Sequence, residues 1–163
     1  MTGGRKGCQE TNDVSLNEEV ELLRNIPLFA KLEPSKLKLL AFTSERITYE
    51  ADQVLFRQGD VGDAAYIIVE GAAAVLVETG EGEIEVATLG RNDFVGEIAI
   101  LCDVPRTATV KATTQTITLR ITKDLFFRLV AEFPEMSVEI MRELASRLEH
   151  TTQQLRESLA KNA

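Results

Sequence analysis

Hydrophobic and polar positions change rhythm twice along this chain. From Leu16 to Phe42 the apolar residues recur at helical spacing. Ser15, followed three residues later by Glu18, makes a capping box for a helix through SLNEEVELLRN. Pro34 stands just inside the start of a second helix, EPSKLKLLAF. From Glu45 to Ile121 the rhythm shortens to seven runs rich in β-branched residues: RITYE, QVLFRQ, AYIIVEG, AAVLVET, EIEVATLG, TATVKAT and TITLRI. Glycines punctuate them, and TGEGE reads as a hairpin turn. One stretch breaks the series: GEIAIL does not alternate and fits a short helical turn after Gly96. From Lys123 the helical period returns, first in DLFFRLVAEF behind a Thr122 cap. A longer helix then starts at Pro134. In it Met141, Leu148 and Leu155 share one heptad position, and Leu144, Thr151 and Ser158 share another.

Short strands at this spacing predict a sandwich, jelly roll or barrel. The fold class is therefore mainly β with flanking helices (α+β). Residues 1–15 read as a flexible N-terminal tail and residues 16–163 as a single domain that includes the C-terminal helix.

Composition narrows the function. No run approaches the roughly 18 apolar residues a membrane span needs, and the N-terminal stretch lacks the apolar region of a secretory signal. Cys8 and Cys102 form no disulfide framework, so two free thiols in the cytoplasm is the simpler reading, with Cys102 a small buried hydrophobe. The net charge of −8 speaks against direct nucleic-acid binding. Arg46, Arg57, Arg91, Lys111 and Arg120 form no cluster and read as surface charges. His150 is the one histidine, so a metal site is not expected, and no nucleophile–base pair suggests an enzyme.

The chemistry concentrates in FVGEIAILCDVPRTATV. Glu97 and Arg106 are an acid and a base among apolar and small residues. Buried, they must pair with each other or await a ligand carrying a hydroxyl and a negative charge. A short helix starting near Gly96 presents N–H groups, here those of Ile98 and Ala99, to an anion. Their side chains are expected to point into the barrel. Gly96 allows close backbone approach. Arg106 offers forked hydrogen bonds to a phosphate, Thr107 a hydroxyl and Ala108 another N–H. Glu97 can accept from a ribose hydroxyl.

This stretch resembles the phosphate-binding cassette of the cyclic nucleotide-binding domain family. The family pattern F-G-E-(L/I)-A, a short loop, then P-R-(S/T/A)-A-(T/S)-V is met by Phe94, Gly96, Glu97, Ile98 and Ala99, then Pro105, Arg106, Thr107, Ala108, Thr109 and Val110. Val95 is inserted, as is common in bacterial members. The likeness extends back through QGDVGDAAYIIVEG and forward into the last helices, and is strongest to catabolite-activator-like effector domains. It implies an eight-stranded antiparallel β-roll holding cyclic AMP or cyclic GMP. Glu97 would take the ribose 2′-hydroxyl. Arg106, Thr107 and the N–H groups of Ile98, Ala99 and Ala108 would take the phosphate. Val75, Val86 and Leu89 would wall the base, although strands always carry apolar inward faces. Thr107 alone does not separate the two nucleotides. Thr151 and Thr152 fall on a pair that contacts adenine from the dimer helix, which favours cyclic AMP.

The expected protein is thus a cytoplasmic cyclic nucleotide sensor, not an enzyme. It would dimerise through its C-terminal helix and signal to an unknown downstream protein by moving that helix. The alternatives are a fold-retaining dimerisation module that binds no nucleotide, or a piece of a Crp-like regulator, channel or kinase regulatory subunit. No helix-turn-helix follows the last helix.

Overall fold

The computed structural model describes residues 17–26 and 29–161. The expected tail over 1–15 and the Ser15 cap lie outside the described residues. The chain divides after Phe126 into two compact units.

In the first unit, α1 (17–24) and α2 (Pro34–Thr43) precede the strands. Pro34 occupies the first turn of α2, where its missing N–H costs nothing. Eight strands follow: β1 (Glu45–Tyr49), β2 (Val54–Phe56), β3 (Ala64–Glu70), β4 (Ala73–Thr79), β5 (Gly82–Leu89), β6 (Phe94–Val95), β7 (Thr109–Ala112) and β8 (Thr116–Thr122). The helix α3 (Glu97–Cys102) lies between β6 and β7. The strands form two four-stranded antiparallel sheets, in the orders β1-β8-β3-β6 and β2-β7-β4-β5. Both sheets contribute to one core, in which Tyr66, Ile68 and Val95 of the first meet Leu55, Ala73, Leu89, Val110 and Ala112 of the second.

The register explains the sequence pattern. AAYIIV in β3 does not alternate because both its faces are buried. Tyr66 and Ile68 enter the core between the sheets. Ile67 pairs with Phe94 and Leu119 instead, and Phe94 stacks on Phe126 with ring centroids 5.9 Å apart. The strand β6 escapes the periodicity argument because two residues cannot show a period. Its pairing of Val95 with Tyr66 and of Phe94 with Ile67 brings the chain to α3. At the edge of the second sheet, β5 exposes every residue except Leu89. Glu81, Glu83 and Glu85 charge this edge, as unpaired edges require. The β4–β5 hairpin closes where Thr79 pairs with Gly82, at the expected turn.

The helix α4 (Lys123–Glu132) opens with the Leu125 amide donating to the Thr122 hydroxyl at 3.3 Å, as the cap signal predicted. In the second unit α5 (Pro134–Lys161) buries Met136 and Ile140. It exposes Met141, Leu148, Leu155 and Leu159.

Tyr49 of β1 reports on the first unit's packing. Burial, with Tyr66 beside it, pushes its phenol up to about 12. An unfolded chain releases this proton near about pH 10. Between the two values the unfolded state holds fewer protons, so stability falls as pH rises. In urea unfolding from about pH 9 to about pH 12, Tyr49→Phe should lose less stability than the wild type across that window. Parallel losses would show that Tyr49 titrates as freely in the folded protein as in the unfolded chain.

Candidate functional site

The site forms where the turn before β3, the helix α3 and the chain entering β7 meet. Gly96 caps α3 with φ 93° and ψ 3°, a left-handed conformation that favours glycine. Asp103 ends the helix with φ 51°. The brevity of α3 follows from these two reversals. It carries Glu97 inward to 2% exposure.

Arg106 is buried as deeply, at 4%. The main chain fixes its backbone, since its N–H donates to the Asp60 carbonyl and its carbonyl accepts from the Gly59 N–H, both at 2.8 Å. Its side chain enters a cage of main-chain acceptors. Nη1 donates to the Gly96 carbonyl at 2.9 Å and Nη2 to the Ala64 carbonyl at 2.6 Å. The guanidinium carbon lies 4.0 Å from the centre of the Phe56 ring, a cation–π contact. Nε is buried and has no hydrogen-bond partner. Burial pushes this arginine below its ordinary value. The charge of Arg120 acts in the same direction, and Tyr66, Asp63 and Asp60 act against it. Arginine stays protonated through such shifts. The site therefore holds a fixed positive charge whose Nε–H donor is unused.

Two glycines make room for it. A Cβ on Gly96 would meet Nη1 of Arg106 at 2.7 Å. A Cβ on Gly62 would meet the Ala99 Cβ at 2.4 Å and the Arg106 Cζ at 3.2 Å. Gly62 and Phe56 were not among the sequence-predicted site residues. The punctuation GDVGD marked a turn there, but only the fold shows that the turn lies against Arg106.

The other predicted residues fall as follows. Ala99 is buried, but Ile98 is 42% exposed and does not point into the barrel as expected. Glu97, Ala99 and Ile100 form the buried face of α3, and Ile98 lies outside it. Cys102, read as a small buried hydrophobe, is an exposed thiol at the last turn of α3. Thr107 is exposed and Ala108 half-buried. Leu89 belongs to the core between the sheets, and Val75 packs on it. Val86 is 48% exposed. It is the extra residue at a β-bulge, where Val75 pairs with Ala87 and Leu76 with Glu85, on an edge strand exposed along all its residues but Leu89. Thr151 and Thr152 are exposed on α5 in the second unit, their hydroxyls donating to the Arg147 and Leu148 carbonyls at 2.8 Å. Arg120, read as a surface charge, is a bridge: it meets Glu45 at 3.6 Å and Asp63 at 3.2 Å. Among the described residues, no group of three or more His, Cys, Asp or Glu is placed to hold a metal. No helix of the described residues is long and apolar enough to cross a membrane.

Comparison with known sequences places the chain in a family. The family model of the cyclic nucleotide-binding domain matches residues 46–133, more than half of the chain. The chain belongs to the cyclic nucleotide-binding domain family. It is 36% identical over 123 residues to a cAMP-dependent protein kinase regulatory subunit of Dictyostelium discoideum, covering 73% of this chain and 36% of that protein. It is 28% identical over 136 residues to a CRP-like cAMP-activated global transcriptional regulator of Mycobacterium tuberculosis, covering 83% of this chain and 61% of the regulator. Among solved structures, the catabolite activator protein of Thermus thermophilus superposes with a TM-score of 0.71 at 28% identity, over 79% of this chain and 61% of that one. The chain thus spans about a third of the kinase subunit and less than two thirds of the regulator. The eight antiparallel strands in two sheets, the flanking helices and the long C-terminal helix are those of the family's β-roll.

The two glycine contacts give a stability prediction for the cassette. Gly62→Ala should destabilise the domain by about 1–3 kcal/mol, the usual cost of overpacking, because Ala99 and Arg106 must both move. Gly80→Ala, where nothing lies within 4 Å of the added Cβ, should change the urea midpoint little. Equal midpoints for the two variants would mean that the turn before β3 does not press on Arg106.

Proposed function

We propose that this domain is a cyclic nucleotide sensor. The observation that carries the reading is Arg106: a guanidinium buried to 4%, caged by the Gly96 and Ala64 carbonyls, with its Nε unpartnered. Such a charge is costly to bury. An anion bound there makes it favourable, and a phosphate monoanion fits a forked cationic donor. Arg106, the Thr107 hydroxyl and the N–H groups of Ile98, Ala99 and Ala108 take the cyclic phosphate, and Gly96 admits it. Glu97, on the same helix, accepts from the ribose 2′-hydroxyl. Val75, Val86 and Leu89 wall the base. The part played by Val86 is then that of an apolar side chain left open beside the roll rather than packed in its core. The names of the relatives, cAMP-dependent and cAMP-activated, support a cyclic nucleotide and favour cyclic AMP. The protein does no chemistry on this ligand and needs no metal.

The output is conformational. Thr151 and Thr152 meet the adenine and link the ligand to the C-terminal helix, whose movement signals to a downstream protein in the cytoplasm. A ligand shifts such an equilibrium only through contacts that differ between two states, and a base contact on a mobile helix is of that kind. The exposed stripe of Met141, Leu148, Leu155 and Leu159 favours a homodimer through α5. The single domain over 16–163 acts as the sensor without contacting nucleic acid.

Two experiments test this reading. Isothermal calorimetry should show cyclic AMP binding tighter than cyclic GMP. Arg106→Ala should weaken cyclic AMP by roughly 30-fold to several thousandfold, the range for truncating one partner of a buried, hydrogen-bonded charge pair. Because this side chain also supports two carbonyls, circular dichroism must first show that the variant is folded. A folded Arg106→Ala protein with wild-type affinity excludes the cassette as the phosphate site. In sedimentation at micromolar concentration the wild type should be a dimer and Leu148→Glu a monomer. A monomeric wild type removes the dimer from the proposal.

A further inference from the structure

We infer that Phe56 is a positioning residue for the anion site: its ring holds the Arg106 guanidinium in place while leaving the N–H groups of that guanidinium to the phosphate. The inference rests on the cyclic nucleotide reading of Arg106 given above.

A guanidinium carries five N–H donors in a fixed fork and no acceptor. In Arg106, Nη1 and Nη2 each donate to a main-chain carbonyl, and Nε has no partner. The guanidinium carbon lies over the Phe56 ring, 4.0 Å from its centre. An aromatic ring attracts a cation through the negative charge of its face. Tyr66, Asp63 and Asp60 favour the Arg106 charge too, against burial and Arg120. The ring differs from the two acids in kind. A carboxylate takes the N–H groups of a guanidinium in the same forked geometry as a phosphate. A ring attracts the charge as a whole and offers the fork no oxygen. It therefore offsets the cost of burial without competing for the donors that the ligand needs.

The fold carries this ring to Arg106 along its own backbone. Phe56 pairs with Val110, at a point where the register of β2 against β7 shifts between Val54 and Phe56. Leu55 lies in the core between the sheets, and Phe56 packs against that same core. Neighbours in a regular strand point to opposite faces, and a bulge is the usual way to re-aim one of them beside a site. Tyr66, itself buried, lies against Phe56 with ring centroids 5.8 Å apart. Beyond Phe56 the two chain segments stay tied. The Gln58 N–H donates to the Thr109 hydroxyl at 2.9 Å, the Gly59 N–H to the Arg106 carbonyl at 2.8 Å and the Arg106 N–H to the Asp60 carbonyl at 2.8 Å. Ring and guanidinium thus stand on segments that hold each other in register.

A ring that only fills space makes a different prediction from a ring that acts through the charge of its face. Fluorine atoms on the ring withdraw that charge and change the shape little. Calorimetry with cyclic AMP on wild type, Phe56→Leu and proteins carrying a mono-, di- or trifluorinated phenylalanine at position 56 separates the two. Phe56→Leu should weaken cyclic AMP about five- to thirtyfold, the scale of a cation–π contact shielded from water. Each added fluorine should weaken binding further, until the trifluorinated protein approaches Phe56→Leu. A trifluorinated protein with wild-type affinity overturns the inference, since the ring then acts by its volume alone, and it leaves the sensor reading standing. A Phe56→Leu protein with wild-type affinity does the same. Should Phe56→Leu fail to fold, the fluorinated series decides by itself, because its rings pack as phenylalanine does. A wild type that binds neither cyclic nucleotide overturns the sensor reading itself, and this inference with it.

Discussion

A positive charge enclosed by protein is the constraint on which the first unit depends. Removing a guanidinium from water is costly unless hydrogen bonds replace the lost hydration. Here the replacement comes from main-chain carbonyls, at Gly96 and Ala64, with the guanidinium carbon over the Phe56 ring. Carbonyls can serve only if three separate stretches of chain converge. One is the turn before β3, one is the junction of β6 and α3, and one is the strand entry that carries Arg106 itself.

The β-roll supplies that convergence. The pairing of β3 with β6 brings Val95 opposite Tyr66, and the chain then turns at Gly96 directly above the start of β3. Both glycines that line Arg106 are there because a side chain would occupy the volume of the guanidinium or of Ala99. The helix α3 is short because left-handed residues bound it on both sides. Its length matters less than its start, which turns Glu97 inward. An acid and a base are thus buried within one cassette, while Val95 before it and Val110 at its end belong to the core between the sheets.

The second unit has a different logic. A helix of 28 residues with Met141, Leu148, Leu155 and Leu159 exposed carries apolar surface that its own unit does not cover. Membership of the cyclic nucleotide-binding domain family accounts for the roll. The matched relatives extend well beyond the span shared with this chain, so what the helix drives is a property of the protein in which it works.

The sequence by itself determined the order of elements and pointed to one stretch for the chemistry. Strand runs and glycine turns are local, because side-chain alternation and backbone freedom act within a few residues. They located seven of the eight strands, the turn of helix after Gly96 and the cap at Thr122. The cassette was legible for the same reason: Gly96, Glu97 and Arg106 lie in one contiguous stretch. Which faces are buried was decided by tertiary structure. Ile98 and Ala99 look alike in sequence, but the way α3 packs buries the face of Glu97, Ala99 and Ile100 and leaves Ile98 outside. Val86 belongs to an alternating run, but its strand lies at a sheet edge that is exposed along all its residues except Leu89. Gly62 and Phe56 are remote from the cassette in sequence and carry no local sign of a shared site. Strand pairing brings them to Arg106. Pairing and register are set by long-range burial, which no window of sequence contains.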